Sequence, residues 1–284
     1  MNGQPPAASA RKSVIVTGGA SGLGLAMTNH FASQGHYVAI LDVNTEAGAQ
    51  VVSELAKQHP KAALSFKKCD ISSWAKQAAV FKEVYAEHGG IDVVMANAGI
   101  SEQGVSSVAG LGEEEEEPLE PNLKVLDVNL TGTIYTVKLA VHYLRKNKPD
   151  PVTGLRGSII CTSSNAGLYP FPVAPLYATS KFGVVGLVRS LAPVIGRVQV
   201  QINALAPAVL ETNIAPSKEL FKDMIVTPKT TLIKGVVLFL EKDPRLTGQV
   251  AEIHGESATI RPQHEYVDED SRKNLEVFWG LGYA

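Results

Sequence analysis

The chain has 284 residues, of which 45% are hydrophobic and 19% are charged, and its formal net charge is -2 at pH 7. These values are ordinary for a globular protein and give no electrostatic reason to expect nucleic acid or an anionic membrane as a partner. No apolar run approaches the roughly 20 residues of a membrane-spanning helix. Residues 1–12 lack the apolar middle of a secretion signal, so we interpret them as a flexible lead-in. Cys69 and Cys161 lie in or beside predicted strands and are expected to be buried thiols of a cytoplasmic protein.

The first predicted unit runs from Ser13 to Asp42 as strand, glycine-rich turn, helix and second strand. Val14, Ile15 and Val16 form a short β-branched run, which is typical of a strand buried on both faces of a parallel sheet. The glycines that follow allow a tight turn and a close approach to phosphate oxygens, and they are Gly18, Gly19, Gly22 and Gly24. This arrangement predicts a dinucleotide whose pyrophosphate lies at the N-terminus of the helix.

Asp42 ends the second predicted strand, close to the spacing of about 20 residues at which a carboxylate meets the adenosine ribose. An acid there accepts hydrogen bonds from both ribose hydroxyls and repels a 2′-phosphate. The residue therefore favours NAD over NADP. An exposed turn acid with no ligand is the alternative that the residues alone leave open.

Helical and strand patterns then alternate, which predicts βαβ crossovers and a parallel sheet. The further predicted strands are 64–69, 91–96, 158–162, 198–204 and 249–254, and the further predicted helices are 45–58, 74–88, 122–146, 178–195 and 232–241. Pro193 is expected to end or kink its helix. We expect a single α/β domain over residues 13–261, doubly wound and of Rossmann type, with a parallel sheet of about seven strands flanked by helices.

Several segments outside this alternation have open interpretations. Asp70 and Ile71 follow the third strand, where they could contact adenine, or Asp70 could cap the next helix, or both. The like-charged run from Glu113 to Glu117 favours a solvated loop. Residues 209–231 are expected to cover the substrate, and residues 262–284 are a C-terminal tail. The apolar residues of 209–231 indicate either a partly hydrophobic ligand or packing onto the body, and they are Leu210, Ile214, Leu220, Phe221, Met224 and Ile225.

Tyr177 and Lys181 are four positions apart, so on a helix their side chains share one face. An ammonium beside a phenol favours phenolate and lowers the pKa of the tyrosine from about 10. Such a tyrosine acts as an acid or base nearer neutral pH. Alone the pair is commonplace on solvated helices; behind a dinucleotide signature it indicates catalysis.

Several motifs occur together in one order along the chain, and they are TGGASGLG at 17–24, ANAG at 96–99, VNLTG at 128–132, SS at 163–164 and YATSK at 177–181. Their order and spacing resemble the short-chain dehydrogenase/reductase family over nearly the whole chain. Within that family the chain is most similar to the group that contains NAD-dependent 15-hydroxyprostaglandin dehydrogenase.

The resemblance implies a role for each matching residue. Tyr177 matches the general acid/base, and Lys181 matches the lysine that holds the nicotinamide ribose and lowers the tyrosine pKa. The family's serine lies thirteen positions before the tyrosine, which selects Ser164 over Ser163 as the group that hydrogen-bonds the substrate oxygen. Asn129 matches the asparagine that holds a proton-relaying water from within a long helix.

The resemblance also implies a set of cofactor contacts, at Gly18, Ser21, Gly22, Leu23, Gly24, Asp42, Val43, Asp70, Ile71, Asn97, Ala98, Gly99, Tyr177, Lys181, Pro207, Val209 and Thr212. Two positions depart from the family. Ala208 replaces the usual glycine after Pro207, which reduces backbone freedom beside the nicotinamide. Ala174 stands where prostaglandin dehydrogenases carry a substrate-contacting glutamine, which puts prostaglandin in doubt as the substrate.

The sequence therefore predicts a cytoplasmic oxidoreductase that moves a hydride between NAD and a small, partly hydrophobic secondary alcohol or ketone, with no metal. Alcohol oxidation is the expected direction because Asp42 favours NAD. A homodimer or homotetramer is expected through the helices at 122–146 and 178–195. Two alternatives remain open: a dinucleotide-binding sensor or partner without redox turnover, and a non-redox biosynthetic enzyme on the same scaffold.

Overall fold

An eight-stranded sheet runs through the protein, and the computed structural model describes residues 11–102, 108, 117–211 and 222–280. The strands are β1 (Ser13–Thr17), β2 (Tyr37–Asp42), β3 (Ala63–Lys68), β4 (Val93–Ala96), β5 (Gly157–Thr162), β6 (Val200–Pro207), β7 (Val250–His254) and β8 (Ser257–Arg261). Their order in the sheet is β3-β2-β1-β4-β5-β6-β7-β8. The order reverses at β1, so β1 and β4 flank the switch point at which ligands bind doubly wound sheets.

Strands β1 to β7 pair in parallel, as predicted, and β8 pairs antiparallel with β7. The sequence prediction missed β8. Its residues alternate between exposed and half-buried positions at the sheet edge, so they lack the continuous apolar run that marks the buried strands.

Two layers of helices cover the sheet. The helices are α1 (Gly22–Ser33), α2 (Thr45–Gln58), α3 (Trp74–His88), α4 (Lys124–Leu126), α5 (Thr133–Leu144), α6 (Pro175–Gly196), α7 (Lys229–Val237) and α8 (Glu269–Gly280). Helices α3, α5 and α6 bury apolar side chains against one face of the sheet, and α1, α2 and α7 bury theirs against the other. This burial supplies most of the stabilising free energy, because apolar area removed from water dominates folding.

The helices differ from the prediction at four places. In place of the predicted helix 232–241, α7 begins at Lys229 and a π-helical turn follows it at Leu238–Lys242. Residues 122–146 are not one regular helix, because a π-helical turn at Asp127–Gly132 lies between α4 and α5. Helix α6 continues past Pro193 to Gly196. The predicted tail contains α8, none of whose residues is buried.

Helix α6 is, among the described residues, the one helix that is long and apolar enough to cross a membrane by length and composition. It packs against β5 and β6 in this fold and bears the buried Lys181. These contacts are those of a core helix, and the predicted absence of a membrane partner stays a prediction.

Gly48 lets α2 pack on β3, because a Cβ at this position would lie 2.1 Å from the Phe66 ring. We expect Gly48→Ala to lower the free energy of unfolding by about 1 to 3 kcal/mol through overpacking. In a Phe66→Ala background the same change should be neutral or stabilising, because alanine is the better helix former by about 1 kcal/mol. Denaturant unfolding of the four proteins measures both effects, and equal losses in both backgrounds would contradict the packing assignment.

Candidate active site

The glycine-rich turn between β1 and α1 has the backbone that the sequence predicts. Gly18 and Gly22 have φ values of 64° and 54°, in the left-handed region that favours glycine. A Cβ on Gly24 would lie 2.0 Å from the Gly18 carbonyl oxygen, so the helix packs directly on its own loop. The N-cap Ser21 makes no side-chain cap, and the first turn of α1, which includes the half-buried Leu23, has no acid. This helix end therefore fits an anionic pyrophosphate.

Asp42 lies at the carboxyl end of β2, beside this turn. Its Oδ2 accepts a hydrogen bond from the Ala20 amide at 3.2 Å, and its Oδ1 accepts one from the Asn44 amide at 3.0 Å. Two backbone donors thus fix the orientation of the carboxylate. The adjacent Val43 is exposed. The ribose contacts predicted for Asp42 and Val43 stay predictions.

Asp70 is not the helix cap. The side chain of Ser73 accepts the capping hydrogen bond of α3, while Asp70 Oδ1 accepts bonds from the Ser72 amide and hydroxyl at 3.0 and 2.7 Å. The hydrogen bond from the Ser72 hydroxyl holds the pKa of Asp70 below its usual value. Ile71 is buried, and a Cβ on Gly132 would lie 2.9 Å from its Cδ1. The adenine contact stays a prediction.

The Asn97-Ala98-Gly99 segment follows β4 and is bonded to the end of β1. The amides of Asn97 and Ala98 donate to Thr17 Oγ1 at 2.9 and 3.0 Å, and Asn97 Nδ2 donates to the Thr17 carbonyl at 3.0 Å. Thr17 is fully buried and was missed as a site residue. Its signal in the sequence is a hydroxyl at the end of a buried strand, directly before the glycine turn.

Ser164, Tyr177 and Lys181 converge at the carboxyl end of β5. Lys181 Nζ lies 5.4 Å from the centre of the Tyr177 ring and donates to the Thr162 carbonyl at 3.1 Å. The Ser164 hydroxyl lies near enough to the Tyr177 phenol to affect its pKa, and its Oγ donates to Asn165 Oδ1 at 3.1 Å. Ser163 instead donates to the Lys181 carbonyl at 2.9 Å and is buried. The structure thus places Ser164, and not Ser163, against the tyrosine.

Asn129 lies in the π-helical turn and connects two parts of the site. Its Oδ1 accepts from the Ile100 amide at 2.8 Å, and its Nδ2 donates to the Ile100 carbonyl at 2.9 Å and to Ser180 Oγ at 3.2 Å. Ser180 Oγ in turn donates to the Tyr177 carbonyl at 2.6 Å. The predicted role of Asn129 in a proton relay stays a prediction.

The pKa values at this site differ from the prediction. Desolvation by the surrounding protein raises the pKa of the half-buried Tyr177 above its usual value, and the Ser164 hydrogen bond opposes it with a smaller effect. Burial lowers the pKa of Lys181 to about 8, while neighbouring Cys161 acts in the opposite direction. The predicted lowering of the tyrosine pKa by Lys181 is wrong for the protein's own groups, because burial penalises the charged forms of both side chains.

The end of β6 contains the position that departs from the family. The Ala208 amide donates to the Ile253 carbonyl at 2.9 Å and so continues the pairing with β7, and the Val209 carbonyl accepts from the Thr227 amide at 2.7 Å. Gln199 is the one non-glycine residue with positive φ among those described. Ala208 therefore does not need the conformational freedom that the family's glycine has.

The predicted cover at 209–231 is described only in part, since Thr212 and the rest of 212–221 lie outside the described residues. Leu210 is 5% exposed and packs in the core, which supports the packing alternative for that residue. Met224 and Ile225 are exposed, Ile225 at 92%. Of the acidic run only Glu117 is described, and it is exposed.

Two further residues at the site were missed. Phe171 is 40% exposed, and its ring centre lies 6.3 Å from that of Tyr177. Glu102 Oε2 accepts hydrogen bonds from the Leu176 and Tyr177 amides at 2.9 and 3.1 Å. Neither residue belongs to a motif, and Glu102 is 74 positions from its nearer partner, so sequence spacing contains no signal for either contact.

The family model for short chain dehydrogenase matches residues 12–223. The chain belongs to the short-chain dehydrogenase/reductase family. It is 38% identical over 205 residues to short-chain dehydrogenase/reductase prx4 of Penicillium roqueforti, a match that covers 72% of this chain and 56% of that relative. The chain thus spans little more than half of that relative's length.

Other comparisons cover more of both chains. The chain is 31% identical over 277 residues to 5'-hydroxyaverantin dehydrogenase of Dothistroma septosporum, which covers 94% of this chain and 89% of that protein. Its fold is similar to the crystal structure of levodione reductase, with a TM-score of 0.71, 25% identity, and coverage of 86% of this chain and 96% of that chain. The short-chain dehydrogenase/reductase family comprises oxidoreductases that bind a nicotinamide dinucleotide, either NAD or NADP.

The residues fit such a dinucleotide. The turn at Gly18 and Gly24 has no room for side chains, and Asp42 is held beside it. The Lys181 ammonium has three donors, of which the bond to Thr162 is the one formed within the described chain. Remaining donors of a buried ammonium suit a ligand with several hydroxyl groups, such as a ribose.

The lowered pKa of Lys181 has a consequence for stability. Between about 8 in the folded protein and about 10.4 in the unfolded chain, the unfolded state binds more protons, so stability rises with pH across this window. Below the window the folded state bears the full penalty of a buried charge. Lys181→Met should remove this part of the rise, which denaturant unfolding at several pH values measures. An equal rise in both proteins would contradict the assignment.

Proposed function

We propose that the protein oxidises a secondary alcohol to a ketone with NAD, or reduces the ketone with NADH, and that Tyr177 is the general acid/base. The observation that supports this most is the convergence of Ser164, Tyr177 and Lys181 at the carboxyl end of β5. A phenol, a hydroxyl and an ammonium at one point can bind one substrate oxygen and move its proton.

Each side chain has a distinct part in the reaction. The Tyr177 oxygen takes the hydroxyl proton of the alcohol, or returns it to the ketone oxygen in the reverse reaction. The Ser164 hydroxyl donates to the substrate oxygen and stabilises the charge that develops there. The Lys181 ammonium favours the phenolate electrostatically when Tyr177 has lost its proton. The bound nicotinamide ring supplies the hydride chemistry at the carbinol carbon.

The raised pKa of Tyr177 affects which direction of the reaction, alcohol oxidation or ketone reduction, is favoured at neutral pH. At neutral pH and without bound nucleotide, the phenol of Tyr177 is protonated. The protonated phenol is the form that donates a proton to a ketone. Alcohol oxidation needs the phenolate and should increase with pH. The preference for oxidation that Asp42 suggests therefore competes with the protonation state of Tyr177.

NAD is the proposed cofactor because Asp42 is held in place by two backbone donors. A fixed carboxylate at the ribose repels a 2′-phosphate. The dissociation constants of NADH and NADPH test this proposal, and tighter binding of NADPH would contradict it.

The proposed substrate is partly hydrophobic. Phe171 is a large, exposed side chain on the segment before α6, and its ring centre lies 6.3 Å from that of Tyr177. Exposed aromatic rings beside a reacting group favour an apolar ligand surface. A relative named for a hydroxylated compound and a structural neighbour named for a dione agree with an alcohol or ketone as the reacting group.

We expect Tyr177→Phe to lower kcat by a factor of about 100 to 10,000, because the general acid/base is lost while the ring remains. The experiment screens secondary alcohols with NAD and ketones with NADH, and follows NADH absorbance. Tyr143→Phe is a matched control, since Tyr143 is a buried core tyrosine on α5. Activity that survives Tyr177→Phe would overturn the mechanism.

A second candidate is a dinucleotide-binding protein without turnover. Ala208 is the departure that favoured it, but its backbone needs no glycine. Tight NADH binding without turnover across a broad panel would favour this candidate. The third alternative is a non-redox reaction. Mass spectrometry of the products distinguishes it from alcohol oxidation or ketone reduction, because only the redox reaction changes the substrate by two hydrogens.

We propose a cytoplasmic homodimer or homotetramer that associates through α5 and α6. Ile134 on α5 and Phe182 on α6 are 41% and 47% exposed, respectively, although both are large and apolar. Sedimentation should show at least a dimer at micromolar concentration, and Phe182→Glu should shift it toward monomer. Val152→Glu, at a 91% exposed loop position, is the control. A parent protein that sediments only as monomer would contradict the proposal.

A further inference from the structure

The first turn of α6 contains Tyr177 but has no cap of its own. The N-cap residue is Ala174, which has no side-chain acceptor, and the first helical residue is Pro175, which has no amide hydrogen. The orphan donors of this helix end are therefore the amides of Leu176 and Tyr177. A helix end without acceptors leaves these donors unsatisfied or open to water.

Glu102 supplies the acceptor from another part of the chain. Its Oε2 accepts from both orphan amides, at 2.9 Å from Leu176 and 3.1 Å from Tyr177. The side chain is half-buried. A carboxylate at a helix N-terminus forms charge-assisted hydrogen bonds and interacts favourably with the helix dipole. The catalytic helix is thus capped by the segment that follows β4.

The same segment also holds the other side of Tyr177. The Tyr177 carbonyl accepts from Ser180 Oγ, which accepts from Asn129, and Asn129 is bonded to both backbone groups of Ile100. Residues 100–102 therefore reach the amide of Tyr177 directly and its carbonyl through two side chains. Rotation or fraying of the first turn of α6 would break contacts at both ends.

We propose that Glu102 is a positioning residue for Tyr177, acting as the missing N-cap of the catalytic helix. This inference rests on the proposed function for its effect on turnover. Glu102 contacts the backbone of Tyr177 and is not itself the acid or base. Loss of its carboxylate should displace the phenol from Ser164 without removing any reacting group, and small displacements of a reacting group reduce turnover strongly.

The first test compares Glu102→Ala with Glu102→Gln. The alanine variant should lose about tenfold to hundredfold in kcat, while KM for the dinucleotide stays within about twofold. The glutamine variant keeps an acceptor oxygen at the same reach, so it should retain most of the activity. A glutamine variant as impaired as the alanine variant, or an alanine variant with the parent kcat, would overturn the cap assignment.

The second test restores the cap within the helix itself. In Glu102→Ala/Ala174→Ser a serine at the N-cap position offers an acceptor to the same two amides. The double variant should recover at least half of the lost kcat on a logarithmic scale, with Ala174→Ser alone as reference. Asp268→Ala is a matched control, because that carboxylate accepts from the Ser271 amide at 2.7 Å at the start of a different helix, α8. If Ala174→Ser raises kcat no more in the Glu102→Ala background than it does in the parent protein, the proposal is contradicted.

Amide hydrogen exchange provides a readout that needs no turnover. The amides of Leu176 and Tyr177 should exchange about fivefold faster in Glu102→Ala, as expected for the loss of one helix cap, and should slow again in the double variant. If exchange responds in this way but the parent protein turns over no alcohol or ketone, the proposed function fails and the cap stands. If the parent turns over substrate and exchange is unchanged in Glu102→Ala, the cap fails alone.

Discussion

The desolvation of the Lys181 ammonium is the interaction on which the rest of the site depends. Lys181 is 3% exposed, and its Nζ donates to the Thr162 carbonyl and lies 5.4 Å from the centre of the Tyr177 ring. A buried charge is unfavourable unless it is paired. The charged form of Lys181 therefore lowers the stability of the folded protein. A ligand with several acceptors would relieve that penalty, which makes cofactor binding and the charge state of Lys181 interdependent.

Hydrogen bonds between side chains and the backbone link the parts of this arrangement. Thr17 joins the end of β1 to the end of β4, Asn129 joins the π-helical turn to Ile100, and Ser163 fixes the backbone of Lys181. The Thr17 bond lies at the switch point of the sheet, and the other two connect the segments that follow β4 and β5 to the helical residues beside them. The glycine-rich turn and the proposed acid/base are therefore linked at the carboxyl edge of the sheet, which suits the proposed positioning of a hydride donor against an acceptor.

The sequence was sufficient where a property is local. The glycine turn, the parallel pairing of β1 to β7 and the shared helix face of Tyr177 and Lys181 follow from short patterns and their spacing, whereas Ser164 is implied by the family resemblance. Properties that depend on distant contacts were not accessible. The sign of the Tyr177 pKa shift depends on burial by the whole fold, and the Glu102 cap joins residues 74 positions apart. The edge strand β8 was missed because its alternating, partly exposed residues look like a loop.

The central claim is that burial sets the protonation of Tyr177 in the protein and opposes the effect of the neighbouring lysine. Ultraviolet difference titration of the parent protein against Tyr177→Phe isolates the ionisation of this one phenol. Our account gives it a pKa above the ordinary value of about 10 when no nucleotide is present. A Tyr177 that ionises near neutral pH under the same conditions would show that the lysine outweighs burial and would contradict the account.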